Sequence, residues 1–337
     1  MRRAAKHTEN EPVEIPPELP DTRTLEVDGV CVIEYIDTKP TRPAGDQTPT
    51  IVLLHGAPGT VRDFRYLIPL LQDRARIVAI NLPGFGESRA LQKKDRFTVV
   101  HAAESGEITY RAICEICRGD PNVFVIGHSF GGHFAINVVA AADKDKGKAG
   151  LNVKGMALVA SAGHRPHHTL APRLFVVLSW LIESNSKFIS KATISLNRWI
   201  YINLVGFPRN QPARYYASAM LRKHSTNYDA VMQQLREINH VPTFVAWSKT
   251  DRHIEEELAL IISRLGGAGP RIVFKGGGHN IQKTRASALA SELWSWIDDV
   301  MMQGKQLGPS TLPRTSSYFE YPTNPKDSFQ PFKPSRL

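Results

Sequence analysis

Ser129 stands in the run Gly127-His128-Ser129-Phe130-Gly131, a spacing that can make a serine reactive. Before it, Asn122-Val123-Phe124-Val125-Ile126 is a short β-branched and aromatic run that reads as a buried strand. After it, Gly132 to Ala142 is apolar and Ala-rich and reads as a helix. A serine between a strand and a helix sits on a tight, strained turn. Its hydroxyl is pushed out above the sheet, with the helix N-terminus beneath it. Glycine suits positions 127 and 131 because bulk there would collide with neighbouring backbone. The five-residue pattern occurs by chance in many chains. Its flanks and its partners give it meaning here.

A serine hydroxyl is a poor nucleophile at neutral pH and needs a base within hydrogen-bond reach. Two loops offer the partners. Ser248-Lys249-Thr250-Asp251-Arg252 follows the strand-like Thr243-Phe244-Val245-Ala246-Trp247. Lys275-Gly276-Gly277-Gly278-His279-Asn280 follows Arg271-Ile272-Val273-Phe274. His279 is the candidate base, and the three glycines let its loop come close. Asp251 would orient the imidazole and stabilise its charged form. Attack on an ester or amide builds negative charge on the former carbonyl oxygen. The N–H groups expected to face it are those of Phe130 and Ala57.

Plainer readings compete at several positions. Asp251 could be a helix N-cap for a helix over 254–265, and His279 could cap the last helix. His55 reads as a structural loop anchor. Cys114 and Cys117 form C-x-x-C inside a helix with no other thiol pair, which favours core packing. His164, His167 and His168 share one loop but lack the further ligand and acidic support of a metal site. Walker and Rossmann glycine patterns are missing, so no cofactor and no metal is expected.

The elements that must position these loops alternate along the chain. Strands are expected at 24–27, 30–36, 51–54, 77–80, 122–126, 155–160, 243–247 and 271–274. Helices are expected at 61–71, 98–118, 132–142, 254–265 and 280–301, with several more between 161 and 240. Alternating strands and helices imply an α/β fold with a mostly parallel sheet covered on both faces. In such sheets chemistry sits in loops at the C-terminal ends of strands, where all three loops fall.

The chain carries His55-Gly56-x-Pro58-Gly59 and Asn81-x-Pro83-Gly84-x-Gly86-x-Ser88. It also carries the Ser129 elbow, Asp251 and Gly278-His279 in that order. On these motifs it resembles the α/β hydrolases over roughly residues 22–300. The resemblance implies the α/β-hydrolase fold, with a mostly parallel eight-stranded sheet. The core would span 22–160 and 241–302, with a helical cap inserted at 161–240. It also implies a serine hydrolase cleaving an ester or amide through an acyl-enzyme. Epoxide hydrolases and haloalkane dehalogenases of this architecture use aspartate at the elbow, and Ser129 argues against both. The His55 loop lacks the extra glycines of the H-G-G-G esterases. It looks more like that of the lipase, haloperoxidase and proline-iminopeptidase branches. The same machinery could instead serve an acyltransferase, or the fold could be a non-catalytic ligand binder.

Charge and composition bound the partners. The net charge of +10 is concentrated. Ten Lys/Arg against three acidic residues lie between Ser161 and His240, and five against two follow Gln303. The inserted segment mixes those cations with Trp180, Phe188, Trp199, Tyr201, Phe207, Tyr215 and Tyr216. In one reading the aromatics pack the cap on the core and the cations are its solvated face. In the other the cap presents a basic, aromatic surface to an anionic membrane or an acidic lipid. A small-molecule or lipid ester is the expected substrate. Nucleic acid is not an expected partner, since no recognition motif accompanies the charge. Three cysteines make no disulfide framework, and the basic N-terminus runs into prolines and glutamates without an apolar core. No run of about 18 apolar residues appears. The expected location is therefore intracellular and cytoplasmic, or peripheral on a membrane. Residues 1–21 and 303–337 read as disordered or flexible ends.

Overall fold

The central strands are covered on both faces, so they appear in the sequence as unbroken apolar runs rather than as alternation. The computed structural model describes residues 18–43, 45–145, 150–166, 172–306 and 318–321. Its strands are β1 (Thr22–Val27), β2 (Cys31–Asp37), β3 (Thr50–Leu54), β4 (Arg76–Ile80) and β5 (Arg89–Ala90). They continue with β6 (Val123–His128), β7 (Val153–Val159), β8 (Thr243–Ser248), β9 (Arg271–Phe274) and β10 (Tyr318–Tyr321). Nine run in the order β1-β2-β4-β3-β6-β7-β8-β9-β10, and β5 pairs with β2. The pairings of β2 with β1, β4 and β5 are antiparallel, and the others are parallel.

The helices are α1 (Ile68–Leu71), α2 (Ala102–Ile116), α3 (Phe130–Lys144), α4 (Pro172–Ile182) and α5 (Lys187–Asn203). After them come α6 (Ala213–Ser225), α7 (Tyr228–Glu237), α8 (Glu256–Leu265), α9 (Ile281–Thr284) and α10 (Ala286–Gln306). Alternate residues of each strand feed opposite cores. Ile51, Leu53, Phe124 and Ile126 join the layer of α1 and α10, while Val52, Leu54 and Val125 join that of α2 and α3. Helices α4, α5 and α6 pack on one another, and α7 lies against α3.

The sheet departs from the eight expected strands in two places. Strand β5 has two residues, too few for any periodic signal. Strand β10 falls inside the tail expected to be flexible, and pairs with β9 from Tyr318↔Arg271 to Tyr321↔Phe274. Without it β9 would present an open row of backbone donors and acceptors, and Tyr318-Phe319-Glu320-Tyr321 has the aromatic content that suits a covering strand. The rest of the expected flexible ends, 1–17 and 307–317 with 322–337, lies outside the described residues.

Three expected helices are interrupted. The one at 61–71 is a 3-10 turn at Val61–Phe64 followed by α1, because Pro69 cannot donate to a preceding turn. The one at 98–118 is broken at His101, whose backbone is extended. The last is broken at Arg285, between α9 and α10.

Charge is buried at the sheet end away from the elbow. Arg76 opens β4 and meets Asp37 at 2.7 Å and Asp120 at 3.0 Å. Arg42 reaches Asp120 at 2.9 Å, and the Thr50 hydroxyl donates to Asp120 at 2.6 Å. Removing one member strands the others in a poorly hydrated site. Asp120→Ala should therefore cost about 3–5 kcal/mol in urea unfolding, with a lower midpoint and little change in slope. A loss under about 1 kcal/mol would show that water replaces the carboxylate.

Candidate active site

The register of the sheet brings three loops to one edge. His128 pairs with Val159 at the end of β6, and Ser248 with Phe274 at the ends of β8 and β9. Ser129 follows His128 directly. Asp251 lies three residues beyond Ser248, and His279 five beyond Phe274.

Ser129 has φ +55° and ψ −123°, a conformation that L-residues avoid. Its N–H donates to the Val159 carbonyl at 3.0 Å, and its carbonyl accepts from Gly132 and Ala162 at 2.9 Å each. A side chain at Gly127 or Gly131 would run into the backbone of Gly131 or of Leu54, respectively. The strained turn is thus held from both sides.

The three residues singled out in the sequence come together. The Ser129 hydroxyl donates to His279 Nε2 at 2.9 Å, and His279 Nδ1–H donates to Asp251 Oδ2 at 2.8 Å. Burial pushes the Asp251 carboxyl up, but the His279 ring and the His253 and Ile254 N–H groups outweigh it. Its pKa lies below the ordinary carboxylate value. Ala57 and Phe130 line the cavity over Ser129. Among the described residues neither backbone N–H has a partner. Both donors are therefore free for an oxygen above Ser129.

Sequence reasoning missed the groups that hold the His279 loop. His128 Nε2–H donates to the His279 carbonyl at 3.0 Å, and Gln282 donates to His128 Nδ1 at 3.4 Å. The glycines at 277 and 278 have φ +123° and +66°, which few other residues adopt. Arg285 donates to the Gly276 carbonyl at 3.1 Å, Thr284 to Gly277 at 2.8 Å, and Thr250 accepts from Gly278 N–H at 3.1 Å. The break between α9 and α10 thus turns Arg285 back onto the loop. A polar residue closing the apolar strand β6 was the one sequence signal for His128.

His55 donates to the Gly56 carbonyl at 2.6 Å and accepts from Leu82 N–H at 3.0 Å, so it anchors two loops. His133 on α3 donates to the Gly163 carbonyl at 3.0 Å. His164 is half-buried, while His167 and His168 lie outside the described residues. Among the described residues no cluster of His, Cys, Asp and Glu is placed to hold a metal ion. Cys31, Cys114 and Cys117 are free thiols, and burial pushes Cys117 well up.

Burial lowers three imidazoles from 6.5: His55 to about 4, His128 to about 3 and His133 to about 4. A depressed imidazole stabilises the fold fully above its unfolded value. That stability is lost as pH falls toward the folded value, because the unfolded chain then binds the extra proton. Between pH 6 and pH 4.5 each should lower the unfolding free energy by about 1.4 kcal/mol per pH unit. Urea titrations across that window should show the combined slope. A flat profile would mean that these rings are hydrated in the folded state.

The geometry can be set against known proteins. A sequence profile of the "Alpha/beta hydrolase family" matches residues 51–292. The Caenorhabditis elegans protein F35H12.5 is 24% identical over 246 residues, covering 68% of this chain and 64% of that protein. The chain thus spans under two thirds of that relative's length. The Bacillus subtilis hydrolase YugF is 28% identical over 252 residues, covering 70% of this chain and 83% of its own. An esterase structure from Exiguobacterium antarcticum superposes with a TM-score of 0.58 at 17% identity, over 82% of this chain and 98% of that one. At that identity the likeness shows the fold alone. Because the profile covers most of the sequence, including the elbow and both partner loops, the chain belongs to the alpha/beta hydrolase family.

Proposed function

We propose that this hydrolase cleaves a carboxylic ester, or an amide, through an acyl-enzyme on Ser129. The observation that carries the reading is the 2.9 Å contact between Ser129 and His279 at a strained elbow. In the first step Ser129 Oγ attacks the carbonyl carbon while His279 Nε2 takes its proton. Asp251 steadies the imidazolium, and the Ala57 and Phe130 N–H groups meet the oxyanion. His279 then returns the proton to the leaving group. Water repeats the sequence on the acyl-serine and releases the acid.

The cavity over Ser129 has a volume of about 590 Å³. Its upper wall is Phe175, Ile200, Tyr201, Val205 and Phe207, from the segment 161–240. An apolar wall of this kind favours a medium-sized, largely apolar acyl chain. The same segment, read as a lid, exposes Trp180 (75%), Phe188 (83%), Trp199 (55%) and Leu204 (70%) to solvent. Lys187, Lys191 and Arg198 share α5 with two of them. Exposed aromatics beside cations suit an anionic bilayer, and Leu174 and Leu204 run from that face into the cavity. Among the described residues no helix is long and apolar enough to cross a membrane, so such contact would be peripheral.

Two experiments test these readings. A fluorophosphonate probe should label the wild-type protein and not Ser129→Ala, and Asp251→Asn should lower kcat by about 10³–10⁴-fold. Failure of folded wild-type protein to label would sink the serine-hydrolase reading. Vesicles containing phosphatidylglycerol should bind the protein more weakly as salt rises, and a Trp180→Ala, Phe188→Ala double variant should bind on the order of 10-fold more weakly. Binding that ignores both salt and the double substitution would remove the membrane from the account.

A further inference from the structure

The cavity over Ser129 has an uneven charge. Arg165, Lys223 and Arg252 line it, while among the described residues no Asp or Glu does. Arg165 is already met by Glu255 at 2.5 Å and Glu257 at 3.0 Å. Arg252 is exposed to water. Lys223, on α6, is different. It is half-buried, and its Nζ lies 4.6 Å from the ring centroid of Phe175, another residue of the wall. Among the described residues it has no ion pair and no hydrogen bond. Arg222, next to it in the chain, is buried with no carboxylate partner among those residues and gives one hydrogen bond, to the Pro83 carbonyl. Arg222 and Lys223 are thus a buried and a half-buried cation with no carboxylate partner among the described residues.

The same cavity is lined by unspent neutral donors. The Tyr228 hydroxyl is buried with no hydrogen-bond partner. Tyr201 lines the cavity too, and its hydroxyl likewise has none among the described residues. Buried polar groups are nearly always satisfied, so orphans around a cavity point to something that fills it. An aliphatic residue at 223 would line an apolar pocket at no desolvation cost. Burial lowers the Lys223 ammonium to about 8, so most of it still carries its charge at neutral pH. The cation is held at a site that disfavours it, and an anion in the cavity would reverse that balance.

We propose that Lys223 forms a subsite for an anionic oxygen group on the substrate, a carboxylate or a phosphate, with Tyr201 and Tyr228 lining the same cavity. The ester taken by this site then has an apolar body between two polar ends, the scissile carbonyl at Ser129 and the anion at Lys223. This inference deepens the serine-hydrolase reading and rests on it for catalysis, but not for anion binding.

The test uses p-nitrophenyl esters of one chain length, ending in a methyl group, a carboxylate or a phosphate. The wild-type protein should prefer a charged ester, in kcat/KM, by on the order of 10–100-fold over the methyl one. Whichever of the two charged esters leads identifies the group. Lys223→Met should collapse the ratio, and Lys223→Arg should keep most of it. Fluorophosphonate labelling of each variant reports whether its fold survives. Equal rates for all three esters, or a ratio unchanged in a labelled Lys223→Met, would overturn the subsite. Binding of a free dicarboxylate to Ser129→Ala, followed by calorimetry, separates the two readings. If no ester is cleaved yet the dicarboxylate binds and Lys223→Met abolishes it, the subsite stands and the hydrolase reading falls. If esters are cleaved without charge preference and the dicarboxylate does not bind, the reverse holds.

Discussion

The backbone of Ser129 is the constraint on which the rest of the site depends. A serine at φ +55° costs of order 1–3 kcal/mol, and persists only where its surroundings leave no alternative. Here the surroundings are the ends of three strands. The Ser129 N–H is bonded to β7, its carbonyl is bonded on both sides, and glycines at 127 and 131 let α3 press against β3. Each bond depends on sheet register, since a slip of one residue would turn every strand side chain to the other face. The two opposed cores make such a slip prohibitive. Core packing and elbow strain are thus one problem, with packing energy holding the serine in place.

Histidine does two kinds of work around this elbow. His279 is the one imidazole placed between Ser129 and Asp251, with its ring partly open to the cavity. His55, His128 and His133 are buried and neutral, and each donates one proton to a backbone carbonyl of a loop. A neutral imidazole offers one donor and one acceptor in a rigid ring, so it can join two loops without adding charge. His128 lies 4.9 Å from His279, ring to ring, where a second cation would oppose protonation of the first. Its low pKa keeps it from becoming one. His128 thus adds no second positive charge beside the imidazole that the proposed reaction must protonate.

The fold was legible because both kinds of signal were local. Buried strands such as Ile51–Leu54 are short apolar runs, and the glycine-containing loops after them are marked residue by residue. The partners Asp251 and His279 could be placed because each stands a few residues past a strand end. Legibility ended where a position depends on distant chain. The break at His101 depends on residues of the segment 161–240, with Ser225 accepting from Ala102 N–H and Glu183 meeting the His101 ring. Strand β10 depends on an edge that β9 would otherwise leave open. The fastening of the glycine loop by Arg285 requires a kink that no periodicity announces. Lys223 was counted among the cap's cations, but only its burial separates it from the solvated ones.

That last distinction bears on how such a molecule divides its tasks. The buried ion network of Arg76, Asp37 and Asp120 stands at one end of the sheet, with each charge met by an opposite one. On α6, over the other end, Arg214 is met by Glu87, while Arg222 and Lys223 have no carboxylate partner among the described residues. A protein can satisfy buried charge when stability is the only demand, as the network shows. Arg222 rests instead against the rings of Phe85 and Phe134, with centroids 5.3 Å and 4.4 Å away, and ties α6 to the loop after β4. Aromatic faces temper a cation without neutralising it. On the proposed reading, selection among substrates falls to the helices of segment 161–240, where Lys223 lines the cavity with no carboxylate partner among the described residues.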